Sequence, residues 1–114
     1  MIEFWHNPRC SKSRQGLALL QDAGAEVTVR KYLEDAPNRT ELAAAHTALG
    51  KPPAAQMMRN KDKLFKELGL SRDSSDDILL NAMAEHPALI ERPLAQKDGK
   101  AVIGRPPEAL KALL

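Results

Sequence analysis

Ile2-Glu3-Phe4-Trp5-His6-Asn7-Pro8-Arg9-Cys10-Ser11-Lys12-Ser13-Arg14 is the stretch from which the fold can be read. Ile2 to Trp5 is short and mostly apolar, as expected of a strand covered on both faces of a parallel or mixed sheet. Beyond Cys10 the pattern changes to that of an amphipathic helix. Leu17, Leu20 and Ala23 fall at three-residue spacing on one stripe, and Gly24 stands where a left-handed C-terminal cap would sit. Gly16, inside that helix, reads as a mild cost. The chain's only cysteine, Cys10, thus lies at a helix N-terminus. There the unpaired backbone N–H groups and the helix dipole favour the thiolate and can also hold a phosphate-like oxyanion. Arg9, Lys12, Arg14 and His6 are further positive or protonatable groups nearby. A packing cysteine would be expected inside an apolar pattern, whereas this one is flanked by Asn-Pro-Arg and Ser-Lys-Ser-Arg, so a reactive thiol is the favoured reading.

Moving outward, Val27 and Val29 alternate with Thr28 and Arg30, predicting a second strand through about Tyr32, reached from the first by a right-handed parallel crossover. Asn38-Arg39-Thr40-Glu41 resembles a capping box ahead of Leu42, Ala45 and Leu49, with Gly50 as terminator. Pro52-Pro53 interrupts. Met57, Met58, Leu64, Phe65 and Leu68 then suggest one or two short helices ending at Gly69. Ser74 with Asp77 predicts the start of another helix, carrying Ile78, Leu79, Ala82 and Met83 and ended by Pro87. Leu89 and Ile90 lead into Arg92-Pro93-Leu94, and Ala101-Val102-Ile103 lies across the turn residues Asp98-Gly99, predicting a β-hairpin. Gly104-Arg105-Pro106-Pro107-Glu108 opens a final helix, with Leu110, Leu113 and Leu114 available to pack on the sheet. The order is β-α-β, a helical block, then β-β-α. This α/β pattern, with a thiol at the first helix N-terminus, is similar to a thioredoxin-like fold: a four-stranded mixed sheet with a helical insertion between the β-α-β and β-β-α parts. Pro93 stands where such folds place a cis-proline facing the thiol.

With 114 residues, 43% of them hydrophobic and 28% charged, one domain spanning 1–114 is expected, burying roughly two-thirds of its unfolded surface. A net charge of +2 argues against nucleic-acid binding through bulk electrostatics, so anion specificity must come from placed arginines. One cysteine allows no internal disulfide, and the first residues lack the pattern of a signal peptide, which makes a reducing cytoplasm the default location. No apolar run suits a membrane span. His46 and His86 lack metal-ligand spacing, so no metal site is expected and both read as structural. Met57, Met58 and Met83 read as core or gap-filling residues. A monomer is the default in the absence of an interface pattern.

Four separated motifs give the chain a resemblance, along nearly its whole length, to the glutaredoxin-dependent arsenate reductase (ArsC) family, including its uncharacterised ArsC-like reductase relatives. They are His6 to Arg14, similar to that family's anion loop; Arg59 with Lys63-Leu64-Phe65-Lys66-Glu67-Leu68-Gly69-Leu70; His86-Pro87-Ala88-Leu89-Ile90-Glu91-Arg92-Pro93; and Ile103-Gly104-Arg105-Pro106-Pro107-Glu108. The resemblance implies that Cys10 is the nucleophile, that Arg59, Arg92 and Arg105 converge on the oxyanion, and that Asn7, Ser11, Ser13, Arg14 and Pro93 support the loop. It also implies arsenate or a similar oxyanion as substrate, glutathione as co-substrate, glutaredoxin as protein partner, and no tightly bound cofactor. The single cysteine agrees, because reducing equivalents must then arrive from outside. A phosphatase-like reductase loop would need an arginine after five intervening residues; Gly16 occupies that position.

Two readings stay open for His6: a cation or proton shuttle acting on Cys10, or a capping and packing residue. Helix capping is the plain reading for Ser11 and Ser13, and Arg14 could approach the thiolate or point to solvent. Two other functions compete. Cys10-Ser11-Lys12-Ser13 has the Cys-x-x-Ser pattern of a monothiol glutaredoxin-like thiol oxidoreductase, although that activity needs no arginine triad for an inorganic dianion. An Spx-type RNA polymerase-binding regulator is similar in fold, but Ser13 stands where its Cys-x-x-Cys switch has a second cysteine, and Gly104 to Pro107 forms a motif such regulators generally lack.

Overall fold

The apolar run Ile2–Trp5 forms strand β1, central in its sheet and nearly shut off from solvent at Ile2, Phe4 and Trp5. In the computed structural model, which describes residues Met1–Leu114, the chain divides into two compact units. The first comprises Met1–Asp35 and Arg92–Leu114. It contains β1, α1 (Ser11–Asp22), β2 (Val27–Arg30), β3 (Leu94–Lys97), β4 (Lys100–Ile103) and a closing 3₁₀ helix (Pro107–Leu113). The sheet order is β2-β1-β3-β4. Strand β1 pairs parallel with β2, Trp5 opposite Arg30, and antiparallel with β3, while β3 and β4 form the expected hairpin. Asp98 (φ 51°) and Gly99 (φ 78°) make its turn, the successive left-handed residues that a two-residue hairpin requires. This is the mixed four-stranded sheet of a thioredoxin-like fold, and the peptide bond before Pro93 is cis.

Helix α1 ends as its sequence implies, with Gly24 at φ 77°, but its buried stripe differs from the expected one. Ser13, Gly16 and Leu20 are buried; Leu17 is only partly so and Ala23 is exposed. Close approach, more than apolar side chains, sets this packing. A Cβ on Gly16 would lie 2.7 Å from Leu110 Cδ1 and 3.1 Å from Pro93 Cγ, so the glycine is the residue that admits the contact. The chain's last segment is also tighter than an α-helix. Pro107, Leu110 and Leu113 are buried at three-residue intervals, the repeat of a 3₁₀ helix; Leu114 falls off that stripe and is 57% exposed. Ile2, Phe4, Leu20, Ala95, Leu110 and Leu113 form the core. Val29 is exposed because β2 is an edge strand.

The second unit, Ala36–Glu91, is the helical insertion. It holds α2 (Arg39–Ala48), α3 (Lys63–Glu67) and α4 (Asp76–Glu85), with 3₁₀ turns at Ala54–Met57 and Pro87–Leu89. Asn38 and Glu41 form the capping box of α2 reciprocally. The cap of α4 is Ser75, whose side chain accepts from the Ile78 N–H; Ser74 instead accepts from the Ser71 N–H in the preceding turn. Arg39 joins α2 to α4 through Asp77 (2.9 Å) and Asn81 (2.8 Å). Leu89 and Ile90 do not extend the hairpin. Leu89 closes the second 3₁₀ turn, and Ile90 makes an antiparallel bridge with Met58.

Candidate active site

Where β1 ends, the chain turns through Asn7, Pro8 and Arg9 and enters α1 with Cys10 as its N-terminal cap residue. Backbone bonds fix the turn: the Cys10 N–H donates to the Asn7 carbonyl at 3.0 Å, and the Arg14 N–H to the Cys10 carbonyl at 3.0 Å. The Arg9 N–H donates to Asn7 Oδ1 at 3.1 Å. The Arg14 guanidinium donates to the Pro8 carbonyl at 2.8 Å and clamps the loop from outside.

Burial of Cys10 pushes its thiol up. That effect is outweighed by a side-chain hydrogen bond from Arg92, by the backbone N–H groups of Ser13 and Lys12, and by the Arg92 charge, so the net pKa falls below the ordinary thiol value. A second guanidinium is also close: Arg105 Nη2 donates to Cys10 Sγ at 3.7 Å. Arg105 is held by Nε donating to the Arg92 carbonyl at 2.8 Å. One arginine therefore acts on the sulfur through its side chain and carries the other on its backbone. A thiol with a lowered pKa, acted on by Arg92 and close to the guanidinium of Arg105, is an arrangement that can take a tetrahedral oxyanion.

His6 and Ser13 sit behind the loop, both buried. His6 Nδ1 and Ser13 Oγ are 2.7 Å apart, and Ser13 Oγ also accepts the Asn7 N–H at 3.0 Å. Ser13 is thus a tie between strand, loop and helix, which replaces the helix-capping reading; Ser11 is exposed. Desolvation, then the charges of Lys31 and Arg14, lower the His6 pKa. A buried imidazole with a lowered pKa, hydrogen-bonded to Ser13, favours the packing reading over that of a cation acting on Cys10. Arg59 belongs to the second unit, where its Nε lies 3.4 Å from Asp62 Oδ2 and its N–H donates to the Leu89 carbonyl at 2.8 Å. His46, buried in the same unit, has Nε2 2.6 Å from the Pro52 carbonyl oxygen. No group of three or more His, Cys, Asp or Glu is arranged to hold a metal ion, and no helix is long and apolar enough to cross a membrane.

The family model described as "ArsC family" matches residues 5–113, from the end of β1 to the last 3₁₀ turn. The chain belongs to the ArsC family. A Neisseria meningitidis serogroup A protein named "Arsenate reductase" is 50% identical over 114 residues, 99% of this chain and 97% of that one. The Escherichia coli K12 "Uncharacterized protein YfgD" is 45% identical over 108 residues, 94% of this chain and 91% of that one. A solved structure titled "Arsenate reductase from Vibrio cholerae" superposes with a TM-score of 0.94 at 48% identity, covering 99% of this chain and 97% of that one. The ArsC assignment rests on whole-chain likeness, and the arginine–thiol geometry stands beside it as an independent observation.

Sequence reasoning missed Lys31, whose charge reaches His6. The signal lies in strand register: with Trp5 opposite Arg30, the residues that follow, His6 and Lys31, are carried out of the sheet side by side.

Proposed function

We propose that this chain is an arsenate reductase in which Cys10 is the nucleophile and Arg92 and Arg105 hold the oxyanion, with glutathione as co-substrate and glutaredoxin as the protein reductant in a reducing cytoplasm. The observation that carries the reading is the Cys10 sulfur at the start of α1, with Arg105 Nη2 3.7 Å away and a thiol pKa lowered by Arg92 and the Ser13 and Lys12 amides. Names of relatives such as the Neisseria protein support the substrate. Arg59 joins as a third oxyanion ligand on the resemblance of its segment to the family's central arginine motif.

A dianionic oxyanion is a poor electrophile toward a thiolate. The guanidinium groups neutralise it, orient it and stabilise the charge that develops as sulfur approaches arsenic. The Cys10 thiol and hydrogen arsenate, the dianion, condense with loss of one water, forming an S–As bond at arsenic(V). Glutathione thiolate then attacks Cys10 Sγ. An S–S bond forms, the S–As bond breaks, and its electron pair stays on arsenic, which leaves as arsenite at arsenic(III). Two thiols have become one mixed disulfide, so electrons balance. Glutaredoxin returns Cys10 to the thiol by exchange, the role that a second cysteine would otherwise serve.

The test is arsenate-dependent NADPH consumption coupled through glutathione, glutathione reductase and glutaredoxin. Activity is expected in the native protein, none in Cys10→Ser, and a loss of about a hundredfold or more in Arg92→Ala, the scale of removing one preorganised charge donor. No turnover by the folded native protein would end the arsenate reading. Turnover undiminished in Arg92→Ala and Arg105→Ala would remove the arginines from it.

A further inference from the structure

An open depression of about 270 Å³ is lined by His6, Asn7, Pro8 and Arg9, which follow β1, and by Lys31, Leu33 and Glu34, just beyond β2. We propose that it docks the incoming small thiol, a peptide-like molecule carrying two carboxylates and one ammonium group. The inference rests on the reductase reading above and deepens it.

The need for such a site follows from chain chemistry. With a single cysteine, the Cys10–arsenic adduct is resolved only by a thiol from outside, and that thiol must be held near Cys10 without displacing the oxyanion from Arg92 and Arg105. Arg9 lines the depression and is the residue immediately before Cys10, while Arg92 and Arg105 are not among its lining residues. The charges of the depression also match. Arg9 and Lys31 supply two cations and Glu34 one anion, the complement of two carboxylates and one ammonium. Arg9, Lys31 and Glu34 are exposed and take part in none of the ion pairs of the protein. Elsewhere on the first unit the exposed cations are not all so placed: Arg14 is spent on the Pro8 carbonyl and Arg105 on Cys10. Leu33, 49% exposed, offers apolar surface between the charged groups for the middle of such a molecule. Hydrogen bonds of Asn7 and Arg14 fix the turn through Asn7, Pro8 and Arg9 that lines the depression and leads into Cys10.

Docking adds no chemistry to the step already written. It raises the local concentration of the thiol and aims it at Cys10 Sγ.

Two measurements test it. In steady-state arsenate reduction, the double variant Arg9→Gln/Lys31→Glu is expected to raise the KM for glutathione roughly five- to tenfold, the scale of losing two exposed charge pairs. The KM for arsenate and the pH midpoint of Cys10 alkylation are expected to stay unchanged. A KM for glutathione equal to that of the native protein, with arsenate still turned over, overturns the docking site and leaves the reductase reading intact. The second measurement needs no turnover. S-methylglutathione, which cannot react, is titrated into isotopically labelled native protein, and shifts are expected at amides of residues 6–9 and 31–34 that vanish in the double variant. Should the native protein fail to reduce arsenate while these shifts occur, the docking site stands and the oxyanion reading falls. Shifts confined to other residues, or none at all, overturn it.

Discussion

At Cys10 the competition between burial and hydrogen bonding is decided by few groups, and those groups are separable. Arg92 lowers the thiol pKa through its side chain yet anchors Arg105 through its carbonyl. Arg92→Ala removes the first contribution and keeps the second. The pH midpoint of Cys10 alkylation is therefore expected below that of a free thiol in the native protein and clearly higher in Arg92→Ala, with the far-ultraviolet spectrum unchanged. Equal midpoints in the two proteins would mean that Arg92 does not stabilise the thiolate. His6 makes the opposite kind of statement. Its folded pKa is lowered, so the unfolded chain binds the proton more readily. This contribution to stability is fully present above the ordinary histidine value of about 6.5 and is lost as pH falls through the folded value. Denaturant midpoints are expected to drop across that window in the native protein and to drop less in His6→Gln. Parallel midpoint curves would refute the assignment.

At the scale of elements, glycine and serine do what the hydrophobic pattern cannot announce. The α1 stripe looked like Leu17, Leu20 and Ala23, but packing selects Ser13, Gly16 and Leu20. Periodicity registers apolar side chains; it is blind to a missing Cβ that lets Leu110 and Pro93 approach, and to a hydroxyl tying His6 to Asn7. Gly16→Ala is expected to cost about 1–3 kcal/mol by overpacking despite alanine's better helix propensity. Combining it with Leu110→Val, which removes the obstructing Cδ1, should show favourable coupling in a double-mutant cycle. Strict additivity would mean that the helix backs away without involving Leu110. Elements whose signals are local were legible: the capping box at Asn38, the Asp98-Gly99 turn and the left-handed Gly24 all formed as expected. The cap of α4 moved from Ser74 to Ser75 because both serines precede an acidic turn, and only the hydrogen bond to the Ile78 N–H distinguishes them.

On the scale of the whole molecule, the chain reads as a β-α-β and β-β-α unit with a helical insertion, an order evident from the punctuation of apolar runs. The place of Cys10 at the start of α1 was equally legible, since a thiol at a helix N-terminus needs only local spacing. Arg92 and Arg105 were suggested by motif alone. What brings them together is the β3–β4 hairpin, whose two ends present both arginines at Cys10, 95 residues along the chain in the case of Arg105. Such a long-range meeting leaves no local trace in the sequence. Arg59 lies in the insertion, and its part in oxyanion binding is a proposal from its motif.

The central claim is that Cys10 is the atom through which arsenate becomes arsenite. The most direct test omits glutaredoxin and follows a single turnover by intact mass, with native protein, glutathione and arsenate. The expected result is an arsenate-dependent gain of one glutathionyl group on Cys10, with an equal amount of arsenite released and neither product from Cys10→Ser. Folded native protein that gains no arsenate-dependent adduct and releases no arsenite would contradict the account.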